Sequence, residues 1–190
     1  MGQMNIVETQ IKDLVIIEPK IFGDERGYFF ESYSEKDFHD IGLNMKFVQD
    51  NESRSAKGVL RGMHFQTKHT QGKLVRVVEG EVFDVAIDLR EGSSTFGQWE
   101  SVYLSAENKK QFYVPCGFAH GFLVISNFAT FQYKCTDYYT PAYEAGILWN
   151  DKTVGIQWPL DRIEKLLLSP KDENQQTFEE FMLKPNLFKF

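Results

Sequence analysis

The sequence predicts a mainly β fold, an antiparallel sandwich or barrel with a few peripheral helices. Three observations point there. Short runs rich in Val, Ile, Phe and Tyr recur at intervals of roughly ten residues, separated by turn residues. Within several runs, apolar and polar side chains alternate with the period of two that a strand imposes. The runs follow one another without the regular intervening helices that βαβ units require. The chain has 190 residues, no internal repeat and no linker-like break, so it reads as one domain over residues 1–190 with a helical tail over about 172–190. A chain of this size buries a core without staples.

The elements follow in order. Leu14–Glu18 is a strand closed by Pro19, and Gly27–Tyr33 an aromatic strand. Ser34, followed by Glu35, Lys36 and Asp37, has the character of a helix N-cap, and Gly42 that of its C-terminal stop. Lys73–Val78, the turn Glu79-Gly80-Glu81 and Val82–Leu89 form a hairpin. Gln98–Leu104, Gln111–Val114, Gly121–Ile125 and Thr130–Thr136 are further strands. In the tail, Phe178, Phe181 and Met182 fall at helical spacing, predicting a helix over Asn174–Leu183 that Pro185 stops from continuing. Two strands can be read by face. Phe83, Val85, Ile87 and Leu89 lie opposite Asp84, Ala86 and Asp88; Phe131, Tyr133 and Cys135 share a face that points Tyr133 into the barrel. The mouth of a small barrel is where ligands bind.

Composition narrows the function. With 21 Lys+Arg against 27 Asp+Glu, the formal charge of -6 excludes a general nucleic-acid binder. The 17 Phe, 8 Tyr and 3 Trp are too much apolar surface for a disordered chain. No run of about 18 apolar residues suggests a membrane span, and no basic region followed by an apolar block suggests a signal peptide. The expected compartment is the cytoplasm. A second Met at position 4 leaves Met1–Gln3 open as a start-site variant. The two cysteines, Cys116 and Cys135, do not form a CxxC pair, and both read as reduced, buried core residues.

Of the four histidines, His39 falls on the first helix among polar residues and His69 in the polar loop Thr67–Gly72, so both read as exposed. His64 and His120 sit in denser patterns, Leu60-Arg61-Gly62-Met63-His64-Phe65-Gln66 and Pro115-Cys116-Gly117-Phe118-Ala119-His120-Gly121-Phe122. The Pro-x-Gly-x-x-His pattern of the second resembles a half-motif of the cupin superfamily, whose fold is a jelly-roll barrel, or double-stranded β-helix. Metal-binding cupins add a His-x-His pair from an earlier half-motif. Here that position reads His64-Phe65-Gln66, so a metal-free site is expected. A histidine bonded to backbone in a turn is the plainer reading of His120.

Further segments extend the likeness from about Ile6 to about Leu183. They include Phe22-Gly23-Asp24-Glu25-Arg26-Gly27, Phe30-Glu31, Phe47-Val48-Gln49-Asp50-Asn51, Gln71-Gly72-Lys73-Leu74-Val75-Arg76 and Gly80-Glu81-Val82-Phe83-Asp84-Val85. Tyr133-Lys134, Tyr138-Tyr139, Leu148-Trp149-Asn150-Asp151 and Ser169-Pro170-Lys171-Asp172 follow in the same order. On these the chain resembles the dTDP-4-dehydrorhamnose 3,5-epimerase family of dTDP-L-rhamnose biosynthesis.

The resemblance implies inversion of C3 and C5 of a dTDP-linked 4-keto-6-deoxy sugar by proton abstraction next to the C4 ketone. Such chemistry needs a base, stabilisation of an enolate, and an acid on the opposite face. It needs no redox cofactor, and no G-x-G-x-x-G fingerprint is present. By resemblance His64 is the base, Asp172 its dyad partner, Tyr133 the acid, and Lys73 the cation near the C4 oxygen. Read without the resemblance, Asp172 is a cap or loop carboxylate, Tyr133 a core aromatic and Lys73 a surface lysine. Arg26, Glu31, Gln49, Asn51, Arg61, His120, Glu144 and Lys171 match substrate-contact positions; Tyr138 and Trp149 are aromatic candidates for lining the pocket or stacking on thymine. The family is homodimeric with strands crossing between subunits, so a partner chain can supply contacts. A single-site epimerase of the same substrate class, a metal-dependent cupin oxygenase and a sugar-binding cupin without activity are the alternatives.

Overall fold

The computed structural model describes residues 4–184, 187 and 188. Met1–Gln3 and the helix-stopping Pro185 lie outside the described residues. Strands β1 (Met4–Glu8) and β2 (Val15–Pro19) open the chain, followed by the hairpin β3 (Phe22–Asp24) and β4 (Gly27–Phe29) and the helix α1 (Glu35–Asp40). Next come β5 (Gln49–Ala56), β6 (Leu60–Gln66), β7 (Lys73–Glu79), β8 (Glu81–Asp88), β9 (Trp99–Ser105), β10 (Gln111–Val114), β11 (Phe118–Val124) and β12 (Phe128–Cys135). The short β13 (Glu144–Gly146) and helices α2 (Pro170–Glu173) and α3 (Phe178–Met182) complete it.

A six-stranded sheet, ordered β1-β2-β10-β7-β12-β5, faces a five-stranded sheet, ordered β13-β6-β11-β8-β9. From β5 to β12 successive strands alternate between the sheets, except that β8 and β9 pair within the five-stranded one. β7 and β8 are therefore not the expected hairpin, because the turn at Gly80 carries the chain from one sheet to the other. Each strand pairs elsewhere, β7 with β10 and β12, β8 with β9 and β11. This antiparallel wrapping is the cupin-type jelly roll. Val75, Val77, Val82, Ala86, Phe112, Phe122 and Phe131 fill the space between the sheets. The outer face of the five-stranded sheet is covered by the C-terminal segment: Met63, Phe65, Val85 and Ile87 pack with Ile147, Phe178, Phe181 and Phe188. β8 is therefore buried on both faces, which explains its nearly continuous apolar run. Fully burying one such side chain contributes roughly 1.5–3 kcal/mol.

Several elements differ from the sequence reading. Only Gly27–Phe29 of the expected Gly27–Tyr33 strand pairs, because the Asp24 carboxylate accepts from the Arg26 backbone N–H and turns the chain back onto Phe22–Asp24. The tail is not one helix over Asn174–Leu183. Ser169 caps α2, and the chain then extends so that Gln176 bonds Leu148 and Gly146 before Thr177 starts α3 with a capping box to Glu180. β1, β3, β5, β6 and β13 were not foreseen. β5 is polar throughout (QDNESRSA), because it is an edge strand with one face toward solvent. Cys135 is buried as expected, but Cys116 is exposed, in the turn that leads into β11.

One irregularity positions the site. β6 carries an extra residue against β11: His64 pairs with His120 and Arg61 with Phe122, across a register shift. In a regular strand, residues three apart point to opposite faces; the bulge turns both Arg61 and His64 inward. The Gly62–Met63 peptide within it is cis. Gly62 has φ +137°, a conformation that favours glycine, and a Cβ there would lie 2.6 Å from the Gly121 Cα. A Cβ on Gly121 would in turn meet the Arg61 carbonyl oxygen and the Met63 sulfur, each at 2.6 Å. Gly121→Ala should therefore lower stability by roughly 1–3 kcal/mol, the usual cost of overpacking, measurable by denaturant unfolding. An unchanged midpoint would show that the strands separate at no cost.

Candidate active site

Register places the inward side chains. On the six-stranded sheet, Gln49 and Asn51 of β5 lie opposite Cys135 and Tyr133 of β12, and Cys135 lies opposite Lys73 of β7. On the facing sheet, Glu144 of β13 pairs with Gln66, Gly146 with His64, and His64 with His120. Between them opens a cavity of about 600 Å³. Phe122 and Phe131, stacked 4.2 Å apart, form part of its wall.

His64 and Asp172 are in close polar contact, with His64 Nε2 2.6 Å from Asp172 Oδ1. Ser169 Oγ donates to Asp172 Oδ2 at 2.6 Å, and the Gly62 N–H donates to Oδ1 at 3.3 Å. Asp172 is only 4% exposed. Burial opposes its charge, but the bonds from His64, Ser169 and Gly62 outweigh it and hold the pKa at about 2. An ionised carboxylate only accepts, so the network assigns the imidazole proton to Nε2 and leaves the Nδ1 lone pair for a substrate. Asp172 lies in the first turn of α2, but Ser169 holds the N-cap position.

Tyr133 faces His64 from the other sheet. Burial, aided by neighbouring Cys135 and Glu144, pushes its pKa up, so its phenol stays a neutral donor at pH 7. Lys73 stands beside it in the six-stranded sheet. Burial pulls its pKa down, while Cys135, Asp84 and Glu144 favour its charged form. At the mouth, Lys171 pairs with Glu144, and the Tyr139 hydroxyl donates to Glu144 Oε2 at 2.7 Å. Burial raises the Glu144 pKa, but these two partners more than compensate and lower it. Arg61 reaches the cavity with its guanidinium bonded to Ser55 Oγ. Gln49 donates to Asn51, and its carbonyl oxygen accepts from the Tyr139 N–H.

The fold thus brings His64, Asp172, Tyr133, Lys73, Gln49, Asn51, Arg61, His120, Glu144 and Lys171 to one cavity. Arg26 and Glu31 do not line it: Arg26 sits on the exposed β3–β4 turn, paired with Asp24. His120 lies on β11 rather than in a turn, and bonds a carboxylate rather than backbone. His39 and His69 are exposed. Tyr139, not Tyr138, lines the cavity, and Trp149 packs against the C-terminal apolar cluster. Strand alternation offers no way to choose between adjacent tyrosines in a loop. The Asp84 carboxylate that bonds His120 from behind the cavity was also not foreseen. Its signal was present, since the face reading set it opposite Phe83 and Val85. Among the described residues, no group of three or more His, Cys, Asp or Glu side chains is placed to hold a metal ion.

An imidazole held by a buried carboxylate and a neutral phenol on the facing sheet share one walled cavity of a cupin fold, groups of the kind that proton transfer needs. Comparison with known proteins carries this further. The family model described as dTDP-4-dehydrorhamnose 3,5-epimerase matches residues 8–180, and the chain belongs to that family of isomerases. The dTDP-4-dehydrorhamnose 3,5-epimerase of Salmonella typhimurium is 53% identical over 182 residues, covering 95% of this chain and 98% of its own. A dTDP-6-deoxy-D-glucose-3,5-epimerase from Legionella pneumophila, solved in complex with dTDP-4-keto-L-rhamnose, superposes with a TM-score of 0.93 at 55% identity, covering 98% of both chains. A 3'-monoepimerase from Streptomyces bikiniensis, solved with dTDP-quinovose, is more distant, with a TM-score of 0.85 at 36% identity over 92% of this chain and 90% of its own.

The dyad makes a prediction for stability. Folding keeps Asp172 ionised down to about pH 2, whereas the unfolded chain takes up that proton near the ordinary aspartate value of 3.8. Its contribution is therefore complete above that value and is lost as pH falls towards 2. Asp172→Asn lacks this contribution, so the stability gap between native protein and variant should narrow on acidification through that window. A gap that does not change with pH would reject an ionised Asp172.

Proposed function

We propose that this chain converts dTDP-4-dehydro-6-deoxy-D-glucose to dTDP-4-dehydro-L-rhamnose by two successive inversions, at C3 and C5, in the cavity described above. The single observation that carries the reading is the dyad of His64, on the five-stranded sheet, and Asp172, on α2, facing Tyr133 on the other sheet with Lys73 beside it. His64 Nδ1 takes the proton from a carbon adjacent to the C4 ketone. The C–H electron pair forms a carbon–carbon double bond, and negative charge moves to the C4 oxygen. Asp172 stabilises the imidazolium so formed, and Lys73 the enolate. Tyr133 then delivers a proton to the opposite face, and the C4 carbonyl re-forms with the carbon inverted. Solvent restores both groups, so one proton is removed and one added at each centre, with no redox change.

A positioned base contributes typically 10²–10⁴-fold, and one electrostatic donor at a developing oxyanion roughly 10²–10³-fold. Arg61 and Lys171 are the cations suited to the diphosphate, and Tyr139 offers an aromatic face to the thymine. Gln49, Asn51, His120 and Glu144 supply polar contacts to the remainder of the substrate.

We also propose a cytoplasmic homodimer. Among the described residues, no helix is long and apolar enough to cross a membrane. The β3–β4 hairpin exposes Phe22, Tyr28 and Phe29, apolar surface that a second copy would cover. Arg26 and Glu31, absent from their own cavity, would then reach the partner's. If so, inactive Arg26→Ala and His64→Ala proteins should regain activity when their subunits are mixed, because half of the cavities in a hybrid are intact. Failure of exchanged subunits to complement would reject shared sites.

Proton NMR of the keto sugar in deuterated water tests the chemistry. The native protein should place deuterium at both C3 and C5; label at one position alone would make it a single-site epimerase. His64→Ala should slow exchange by about 10²–10⁴-fold, with circular dichroism unchanged. Tyr133→Phe should impair product formation more than exchange. Full exchange by the first variant, or full turnover by the second, would remove that residue from its role.

A further inference from the structure

Behind the cavity wall, bonded to His120, lies one carboxylate to which the reaction above gives no task. Asp84 is fully buried on β8, with both oxygens on His120 Nε2, at 2.9 and 3.0 Å. The pair is diagonal across the ladder: His120 lies opposite Ala86, and Asp84 opposite Phe122. The His120 ring stacks on Phe131 at 6.1 Å, which fixes its plane. With Nε2 engaged by a carboxylate, Nδ1 is left without a hydrogen-bond partner among the described residues.

The second partner of Asp84 is Lys73, from the opposite sheet. No hydrogen bond or ion pair joins the two, but they interact electrostatically: burial raises the Asp84 pKa, His120 and Lys73 counter it, and Asp84 in turn favours the charged form of Lys73. The groups facing Lys73 can be named strand by strand: Cys135 and Tyr133 from β12, Asp84 from β8, His120 from β11 and Glu144 from β13. Burial holds Cys135 and Tyr133 in their neutral forms at pH 7. Glu144 is engaged by Lys171 and Tyr139. Asp84 is therefore the anion best placed to balance a charge on Lys73. A buried ammonium without such a counter-charge gives up its proton, and a neutral amine stabilises an enolate far less.

We propose that Asp84 is a positioning residue for catalysis: from behind the cavity wall it keeps Lys73 protonated beside the C4 oxygen and locks His120 with Nδ1 presented to the substrate as a hydrogen-bond acceptor. The proposal rests on the epimerase reading. It adds that the site contains two carboxylate-backed histidines with different duties. Asp172 prepares His64 to take a proton. Asp84 divides its charge between a histidine that binds and a lysine that stabilises negative charge.

The test is Asp84→Asn, assayed with dTDP-4-dehydro-6-deoxy-D-glucose across pH 6 to 10. Asparagine nearly keeps the size and can still bond His120, but removes the charge. The expected result is a fall in kcat of tenfold or more at pH 7, with KM changed much less, and a larger fall at pH 9, because the alkaline limb of the profile moves to lower pH as Lys73 loses its proton more readily. A profile parallel to that of the native protein, whatever its height, would overturn the proposal. A native protein that neither exchanges nor epimerises would instead reject the epimerase reading. Should Asp84→Asn fail to fold, carbon NMR of native protein labelled at lysine Cε decides, with the resonance assigned by Lys73→Arg. Lys73 charged at pH 7 supports the proposal, and Lys73 neutral at pH 7 overturns it.

Discussion

His64 and Asp172 are separated by 108 positions in the sequence and by 2.6 Å in the fold. The first lies on a strand of the five-stranded sheet and the second on a four-residue helix that could not persist alone. Their hydrogen bond ties the C-terminal segment to the sheet at the point where function requires it. The same segment covers the outer face of that sheet, where Phe65 meets Phe181 and Phe188 with ring centroids 5.6 Å apart in each case. Met63 and Phe65 point outward into this cluster, while His64 between them points inward. One strand thus anchors the tail with one face and presents the His64 imidazole to the cavity with the other. The β6 bulge extends the arrangement by turning Arg61 inward as well, and Gly62 and Gly121 permit the close approach it needs.

Charge is distributed with similar economy. The protein is net acidic, yet its cavity is lined by Arg61, Lys73 and Lys171. Each has a different partner, respectively Ser55, Asp84 and Glu144, and so a different electrostatic character. Arg61 and Lys171 lie toward the mouth, where a diphosphate can remain partly hydrated. Lys73 is deep, where burial makes its charge costly and also makes it effective against an enolate. The deficit of cations seen in the composition excludes a polyanion but leaves room for one small anionic substrate.

Much of this was legible in the sequence. Alternation alone set Tyr133 on an inward face and separated Asp84 from Phe83 and Val85. The cap at Ser34 and the turn at Gly80 followed from local chemistry, but nothing local says that this turn joins two sheets rather than two paired strands. What stayed hidden has physical reasons. β5 escapes the search for apolar runs because an edge strand can be polar and still satisfy its ladder through one neighbour. The tail reads as one helix because Phe178, Phe181 and Met182 keep helical spacing, whereas the break at Gln176 arises from bonds to Leu148 and Gly146 that no local pattern announces. The choice of Tyr139 over Tyr138 depends on a loop. The absence of Arg26 and Glu31 from their own cavity depends on where the β3–β4 hairpin goes, which a single chain's periodicity does not encode. The proposed catalytic roles came from resemblance to a family, and the fold brings the residues that carry them to one cavity.

The account stands on one spatial claim, that base and acid act from opposite faces of the same sugar ring. A crystal structure with a bound dTDP-linked 4-keto sugar, or a 4-deoxy analogue of it, tests this directly. The ring should lie between His64 Nδ1 and the Tyr133 hydroxyl, with the ketone oxygen of the keto sugar within hydrogen-bond distance of Lys73. A ring that meets both residues on one face, or that binds outside the cavity, would contradict it.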